Sequence, residues 1–388
     1  MSFRLILTRL ETTMDFHIDT EKEKKLLTEL ARRSDIEAMR MKRYLAMPDL
    51  SRTKTSPLYD IVDRVRTLPV LKDFDNVVIP EIVPADVSFD LFNFAPDHVA
   101  RSASDTYYVD AKNILRTHDT VMWYYYLQLP EIKKKIAEKK SLGVVCYGKV
   151  YRKDEIDRKH MNIFHQFGGL YLVPDSVKVP IDELKKVLTA IVEGLFGKGT
   201  PYRFLEDTFP YTDPSLQMEV QINGEWLEIM GGGMPRKDVL KNFGLEGYNG
   251  WAFGFGLERL AIISMKLPDI RLLWSDDERV KKQLKLGTAF VEVSKYPAVI
   301  RDISFVVDAK FAPNDYFDLV RDIVGDLAEE MALVDTYENE KKFGKGNKSY
   351  AYRITYRALD HTLTDAEVNA LHKKLEERTK EVFNATVR

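Results

Sequence analysis

The apolar positions along the chain shift from helical spacing to alternation and back. In residues 19–46, Leu26, Leu27, Leu30, Ile36, Met39 and Leu45 recur near helical spacing, with Lys24, Lys25, Arg32, Arg33, Arg40, Lys42 and Arg43 set among acids. The spacing predicts a charged amphipathic helix or a helical hairpin with a solvated face; contact with an RNA backbone is the sharper alternative. DLSRTKTSP (49–57) has the composition of a linker. LYDIVDRVRTL then predicts a second helix and NVVIPEIVP a buried strand. From there to about residue 275, β-rich segments (VVCYGKVYR, FGGLYLV, QMEVQINGEWLEIM) are interrupted by helices such as 181–195. INGE between two strands is a hairpin signal. The strand–helix alternation of a doubly wound parallel sheet is missing, so the pattern predicts an α+β fold.

The segment 285–300 reads as a connector. After it come strand ISFVVD, helix 313–331, strand LVDTYEN, strand SYAYRITYRAL, helix 364–383 and a last strand ATVR. That order is β-α-β-β-α-β, the ferredoxin-like arrangement, with Thr364 and Glu367 placed to form a capping box. Three regions follow: an N-terminal helical extension and linker (1–54), a larger α+β domain (55–284), and the connector with the ferredoxin-like unit (285–388).

Composition narrows the function classes. The 388 residues suffice for two or three domains, and no window approaches the roughly 18 apolar residues of a membrane span. With 58 basic against 60 acidic residues there is no global excess for nucleic acid, so any RNA contact must come from local patches. The single cysteine, Cys146, excludes disulfide frameworks and cysteine-rich zinc sites and reads as a buried strand residue. The seven histidines show no metal-ligand spacing. MSFRLILTRLETTMDF lacks a small-residue cleavage site and carries Glu11 and Asp15. A cytoplasmic location is therefore expected, with an organellar matrix as the alternative.

Two strings carry chemistry. GFGLER (254–259) has Arg259 where a dinucleotide fingerprint needs a third glycine, and GLFGKGT (194–200) lacks the ending of a P-loop. Instead, GWAFGFGLERLAIISMKLPDIR places glycines at a strand end and Arg259 in the first turn of a helix starting near Leu257. An arginine there adds its charge to a site that already favours anions. In GKVYRKDEIDRKHMNIFHQFGGLYL (148–172) a strand ends at Arg152, a polar loop follows, and a returning strand carries Phe164, His165 and Gln166. Alone it is a charged hairpin.

Together the two strings resemble motifs 2 and 3 of class II aminoacyl-tRNA synthetases. With LRTHDT (115–120), FPYTDPS (209–215) and WLEIMGGG (226–233) they fall in the order of a phenylalanyl-tRNA synthetase catalytic subunit. Residues 76–101 resemble that family's motif 1 region, and SKYPAVIRDISF with the C-terminal unit resembles its anticodon-binding domain. One chain holding both has the layout of the single-chain, mitochondrial-type enzymes, and the similarity covers roughly residues 55–388.

The resemblance implies an aminoacyl-tRNA ligase that joins phenylalanine to tRNA through an aminoacyl-adenylate, using ATP and Mg²⁺. It implies that Arg152 bridges carboxylate and α-phosphate, and that Arg259 holds the γ-phosphate and stacks on adenine. Phe164 would cover the other adenine face. Asp154, Lys159, His160, Met161, Gly254 and Gly256 would line the ATP site, and Glu228 would approach the phosphates through Mg²⁺. On the amino-acid side it implies Phe209, Tyr211 and Phe253 as aromatic walls, with Thr212 and Gly232 nearby. His118, Thr120, Trp123, Gln166 and Gly168 would lie around the ligand's polar groups. Lys341, Lys342, Lys345, Lys348, Tyr352 and Arg353 would meet tRNA. A monomer is implied, with a homodimer as the alternative.

The amino-acid side departs from the family pattern. Gln166-Phe167-Gly168 stands where the family has Gln-x-Glu for the α-ammonium; Trp123 stands for Gln, Thr120 for Ser, Tyr211 for Phe, and Gly232 for a small side chain. Gly168 and Gly232 suggest a roomier pocket. A synthetase for a bulkier or modified aromatic amino acid therefore stays open beside phenylalanine, as does an adenylating or RNA-binding paralogue that no longer charges tRNA.

Overall fold

The computed structural model describes residues 13–222, 224–293 and 296–388. Most of the N-terminal stretch weighed as a presequence, Asn223 of the INGE turn, and Ser294 with Lys295 of the connector lie outside the described residues.

The larger domain is built on one eight-stranded sheet. Its strands are β1 (Asp15–His17), β2 (Asp75–Val78), β5 (Leu142–Tyr151), β6 (Ile163–Pro174), β7 (Tyr202–Phe209), β8 (Thr212–Ile222), β9 (Glu225–Pro235) and β10 (Tyr248–Gly256). β3 (Ile82–Pro84) and β4 (Asn113–Leu115) form a separate ribbon. The sheet order is β1-β2-β5-β6-β10-β9-β8-β7. Among the described residues only the β1–β2 and β2–β5 pairs of this sheet are parallel. Every residue of β5 is buried, as its near-continuous apolar sequence requires when both faces are covered. Helices Pro57–Arg66, Ile181–Phe196 and Leu257–Met265 cover one face of the sheet. Helices Met122–Leu127 and Pro130–Ala137 pack on the other.

The C-terminal unit comprises β11 (Val299–Asp308), helix Pro313–Val324, β12 (Ala328–Glu338), β13 (Asn347–Tyr356), helix Asp365–Phe383 and β14 (Thr386–Val387), with sheet order β12-β13-β11-β14. This is the ferredoxin-like arrangement the sequence predicts. Its second helix starts with the expected capping box: the Glu367 amide donates to Thr364 Oγ1 (3.3 Å) and the Thr364 amide to Glu367 Oε2 (2.8 Å).

Of the two forms expected for residues 19–46, the hairpin is found: helices Glu21–Arg32 and Ile36–Ala46, the second capped by Asp35 through the Ala38 amide (3.0 Å). Three local expectations are corrected. The strand expected over NVVIPEIVP breaks at Pro80, which has no amide to donate, leaving β2 and β3 in different sheets. The segment 49–57 is no free linker: Leu50 and Ser51 are buried and Asp49 bonds into the core. The helix expected over 313–331 stops at Val324, where Gly325 takes a φ of 61° and the chain turns into β12.

The two units share a polar, buried seam. Asp318 of the C-terminal unit, closed to solvent, accepts from Tyr107 Oη (2.8 Å) and Asn162 Nδ2 (2.8 Å) and lies 3.5 Å from the Arg40 guanidinium. Burial pushes its carboxyl up to about 6 against the pull of Arg40 and Arg321. The loop 152–162 is also held by this unit. Arg321 donates to the Asp154 carbonyl (2.9 Å), the Met331 amide donates to the Ile156 carbonyl (2.8 Å), and Arg158 pairs with Glu329.

Candidate active site

Strand parity decides what faces the central cleft. Gly168 pairs directly with Gly254, and Gly254 with Gly231. These three residues, with Gln166 and Gly256 opposite each other one step along, share one face of the sheet. A cavity of about 460 Å³ opens over that face. Its lining includes each residue expected around ATP and all of those expected around the amino acid except Thr212, which is buried away from the cavity with its hydroxyl 2.7 Å from Ser215 Oγ.

Arg152 follows the last residue of β5, and its guanidinium reaches into the cavity. Nε donates to the Thr117 carbonyl (3.1 Å) and Cζ lies 5.2 Å from the Phe164 ring centre. Arg259, exposed in the first turn of helix Leu257–Met265, is steadied by a bond from Nη1 to the Glu228 carbonyl (3.1 Å). Two guanidiniums thus stand along one cleft with an aromatic face between strands, an arrangement suited to a polyanion carrying a planar base. His160 pairs with Asp157 (2.8 Å), folding the loop back over the cleft. Among the described residues no group of three or more His, Cys, Asp or Glu could hold a metal by itself. Mg²⁺ keeps several waters and takes one or two carboxylates plus phosphate oxygens, a demand that the exposed Glu228 on the cavity wall can meet.

The opposite end is aromatic. Phe209 stacks on Tyr211 at 6.0 Å and sits over Gly231, where a Cβ would lie 2.9 Å from its ring. Tyr211 meets Phe94, Phe92 and the buried Trp123 at 6.2, 5.8 and 6.4 Å between ring centres. His118 stacks on Phe94 (5.9 Å), with Nε2 3.2 Å from the Ser88 carbonyl. Burial and Arg152 pull its pKa down to about 4, so it is neutral.

Two expected pocket residues turn away. The Phe253 ring packs against Phe167 and Phe255 (6.3 and 6.1 Å) in the core on the far face, so its backbone alone borders the cavity. Gly232, paired with Phe253, points the same way; a Cβ there would lie 2.5 Å from the Ala252 carbonyl and 3.0 Å from the Phe253 Cβ. Gly232 therefore serves close strand packing and does not enlarge the pocket. Tyr352 is corrected too. It is buried against Phe305, Tyr316 and Phe317, closed to any RNA base, because alternation along β13 aims it at the helices. Arg353 on the opposite face is exposed but paired with Asp302 (2.8 Å). Lys341, Lys342 and Lys345 are exposed, and Lys348 pairs with Glu338 (3.1 Å).

Three further positions at the cleft carry no local mark in the sequence. Ala252 lies on the cavity face one step from Gly254. Glu258 is buried beneath the cleft, accepting from the His165 amide (2.9 Å) and from Nδ1 (2.6 Å). Asp119, buried, lies against Gly168, and its backbone amide donates to Gln166 Oε1 (3.1 Å).

The chain is similar to known proteins over both of its units. Residues 42–284 match the family model for the class II tRNA synthetase core domain (F), and residues 294–388 match that of the ferredoxin-fold anticodon binding domain. The fold is therefore that of a class II aminoacyl-tRNA ligase. The chain is 37% identical over 319 residues to the chloroplastic/mitochondrial phenylalanine–tRNA ligase of Arabidopsis thaliana, covering 79% of this chain and 71% of the relative. It is 34% identical over 378 residues to the mitochondrial phenylalanine–tRNA ligase of Mus musculus, covering 85% and 80%. The chain belongs to the phenylalanine–tRNA ligase family.

Proposed function

We propose that this chain joins phenylalanine to tRNA in two steps within the cleft described. In the first, a carboxylate oxygen of the amino acid attacks the α-phosphorus of ATP and pyrophosphate leaves. The two reactants repel each other, so the protein's contribution is to hold them in line and spread charge off the phosphorus. The observation that carries the reading is Arg152, standing at the junction of an aromatic-walled end and a nucleotide end of one cavity. A guanidinium there bridges both anions with a rigid fork of donors. Arg259 anchors the far end of the triphosphate. Glu228 on the cavity wall would help to hold Mg²⁺, whose chemistry there would be to supply positive charge against the phosphates. Phe209, Tyr211 and Trp123 present ring edges and faces suited to a phenyl group.

In the second step the acyl group passes to a terminal ribose hydroxyl of tRNA. The exposed lysines of the β12–β13 connection suit phosphate contact. Neutralising Lys341, Lys342, Lys345 and Lys348 together should lower the log–log salt slope of tRNA binding by up to about 3. An unchanged slope in filter-binding titrations would remove this surface from the interface. The chloroplastic and mitochondrial locations of these relatives support an organellar compartment over the cytoplasm expected from sequence. No helix among the described residues is long and apolar enough to cross a membrane.

ATP–pyrophosphate exchange across the standard amino acids and several para-substituted analogues tests the substrate. Phenylalanine should drive exchange with the highest kcat/KM; a larger aromatic doing so would replace phenylalanine in this account.

A further inference from the structure

The reading of this cleft as an amino-acid site leaves one anchor unassigned. An α-ammonium brought out of water needs an anion beside it, and Gly168, next but one to Gln166, supplies none. The space a side chain at 168 would fill is nevertheless occupied. A Cβ built on Gly168 collides with the Asp119 carboxylate, lying 2.7 Å from its Cγ, while one on the neighbouring Gly254 lies 3.6 Å from Asp119 Oδ1. The carboxylate thus lies flat over the Gly168–Gly254 pair, on the cavity face of the sheet. Asp119 is buried, makes no ion pair among the described residues, and leaves Oδ2 without a hydrogen-bond partner. Such a group costs free energy unless something supplies a donor. Resting on the function proposed above, we infer that Asp119 binds the α-ammonium of the amino acid, its carboxylate arriving from the 3₁₀ turn Asp119–Val121 to do from that side what a carboxylate at 168 would do from β6.

The surrounding charges isolate Asp119 as the group that titrates. Facing it are Arg116 on its own segment, Arg152 from the loop after β5, Cys146 of β5, Tyr211 of the β7–β8 turn and His118 beside it. Burial pushes Cys146 and Tyr211 to about 12, and burial with Arg152 pulls His118 to about 4. Burial raises the Asp119 carboxyl to about 7 despite Arg116 and Arg152. In the free enzyme it ionises as pH rises through 7, so amino-acid affinity should rise over the same interval.

The test uses the full chain in ATP–pyrophosphate exchange with phenylalanine. Phenylalaninol, which keeps the ammonium, and 3-phenylpropanoate, which lacks it, serve as competitors. Asp119→Asn should raise the phenylalanine KM and the phenylalaninol Ki by one shared factor of roughly ten- to hundredfold, as expected for a lost charge-assisted hydrogen bond. The Ki of 3-phenylpropanoate should stay put, and the rise in affinity through pH 7 should vanish. Gly168→Glu alone should be inactive because of the collision, and Asp119→Thr combined with Gly168→Glu should regain activity. Equal weakening of all three ligands, no weakening, or no rescue in the double variant would overturn the assignment of Asp119. Wild-type protein that exchanges with no α-amino acid would overturn the function itself, a different and separately visible failure.

Discussion

Arg152→Ala should cut adenylate formation by roughly 10²-fold or more, the cost of about 3 kcal/mol for removing one preorganised donor from a developing charge. The arginine reaches into the open cleft, and among the described residues its guanidinium makes one hydrogen bond, to the Thr117 carbonyl, while its backbone bonds to Asn162 stay intact on substitution. Its loss should therefore leave the thermal midpoint almost unchanged while kcat for exchange collapses. Arg152→Lys should recover little, because an ammonium cannot fork between carboxylate and phosphate. Exchange kinetics within about threefold of wild type would remove Arg152 from the reaction.

Glu258→Ala should be the most destabilising single change at the site. Glu258 satisfies both the His165 amide and Nδ1, and His165 Nε2 lies 3.3 Å from Asp49 Oδ1, so one imidazole ties segment 49–57 to β6 and to the helix bearing Arg259. Removing one partner of such a buried set costs roughly 3–5 kcal/mol. Burial opposes the imidazolium, but Glu258 and Asp49 outweigh it and hold the His165 pKa up to about 9. Because the folded value lies above the unfolded one, this stabilisation is complete below about pH 6.5 and is lost as pH rises through 9. The Leu50 amide, 3.0 Å from Nε2, can then donate to the freed lone pair. Urea denaturation between pH 6 and 10 should show that slope in wild type and lose it in His165→Gln. A pH-independent midpoint in wild type would contradict the charged bridge.

What the sequence disclosed follows from locality. Arg152 and Arg259 were legible because a strand–loop–strand and a strand–turn–helix are contiguous strings whose end residues must project into one cleft. The ferredoxin-like unit was legible because its elements alternate cleanly and its capping box is written within four residues. Glu258 was not, since its partner His165 lies 93 positions away and nothing local marks a glutamate in a helix's first turn as buried. Asp119 was hidden for the same reason. In the sequence Gly168 reads as a vacancy, whereas the Asp119 carboxylate fills that space from another segment. Phe253 and Tyr352 are different: the signal was present. Phe253 neighbours Gly254 in one strand, so the two cannot face the same way, and Tyr352 alternates with the exposed Arg353. Parity, applied before assigning walls and stacking platforms, places both rings in the core. The same alternation shows that Gly232 does not widen the pocket, which removes half of the motive for a bulkier substrate.

The most direct test of the account is tRNA charging with labelled phenylalanine by the full chain, with ATP and Mg²⁺. It predicts an alkali-labile phenylalanyl ester on a phenylalanine-accepting tRNA, formed at a rate that falls in parallel with exchange in Arg152→Ala. Vigorous exchange without any transfer to tRNA, or charging by another amino acid in preference to phenylalanine, would contradict it.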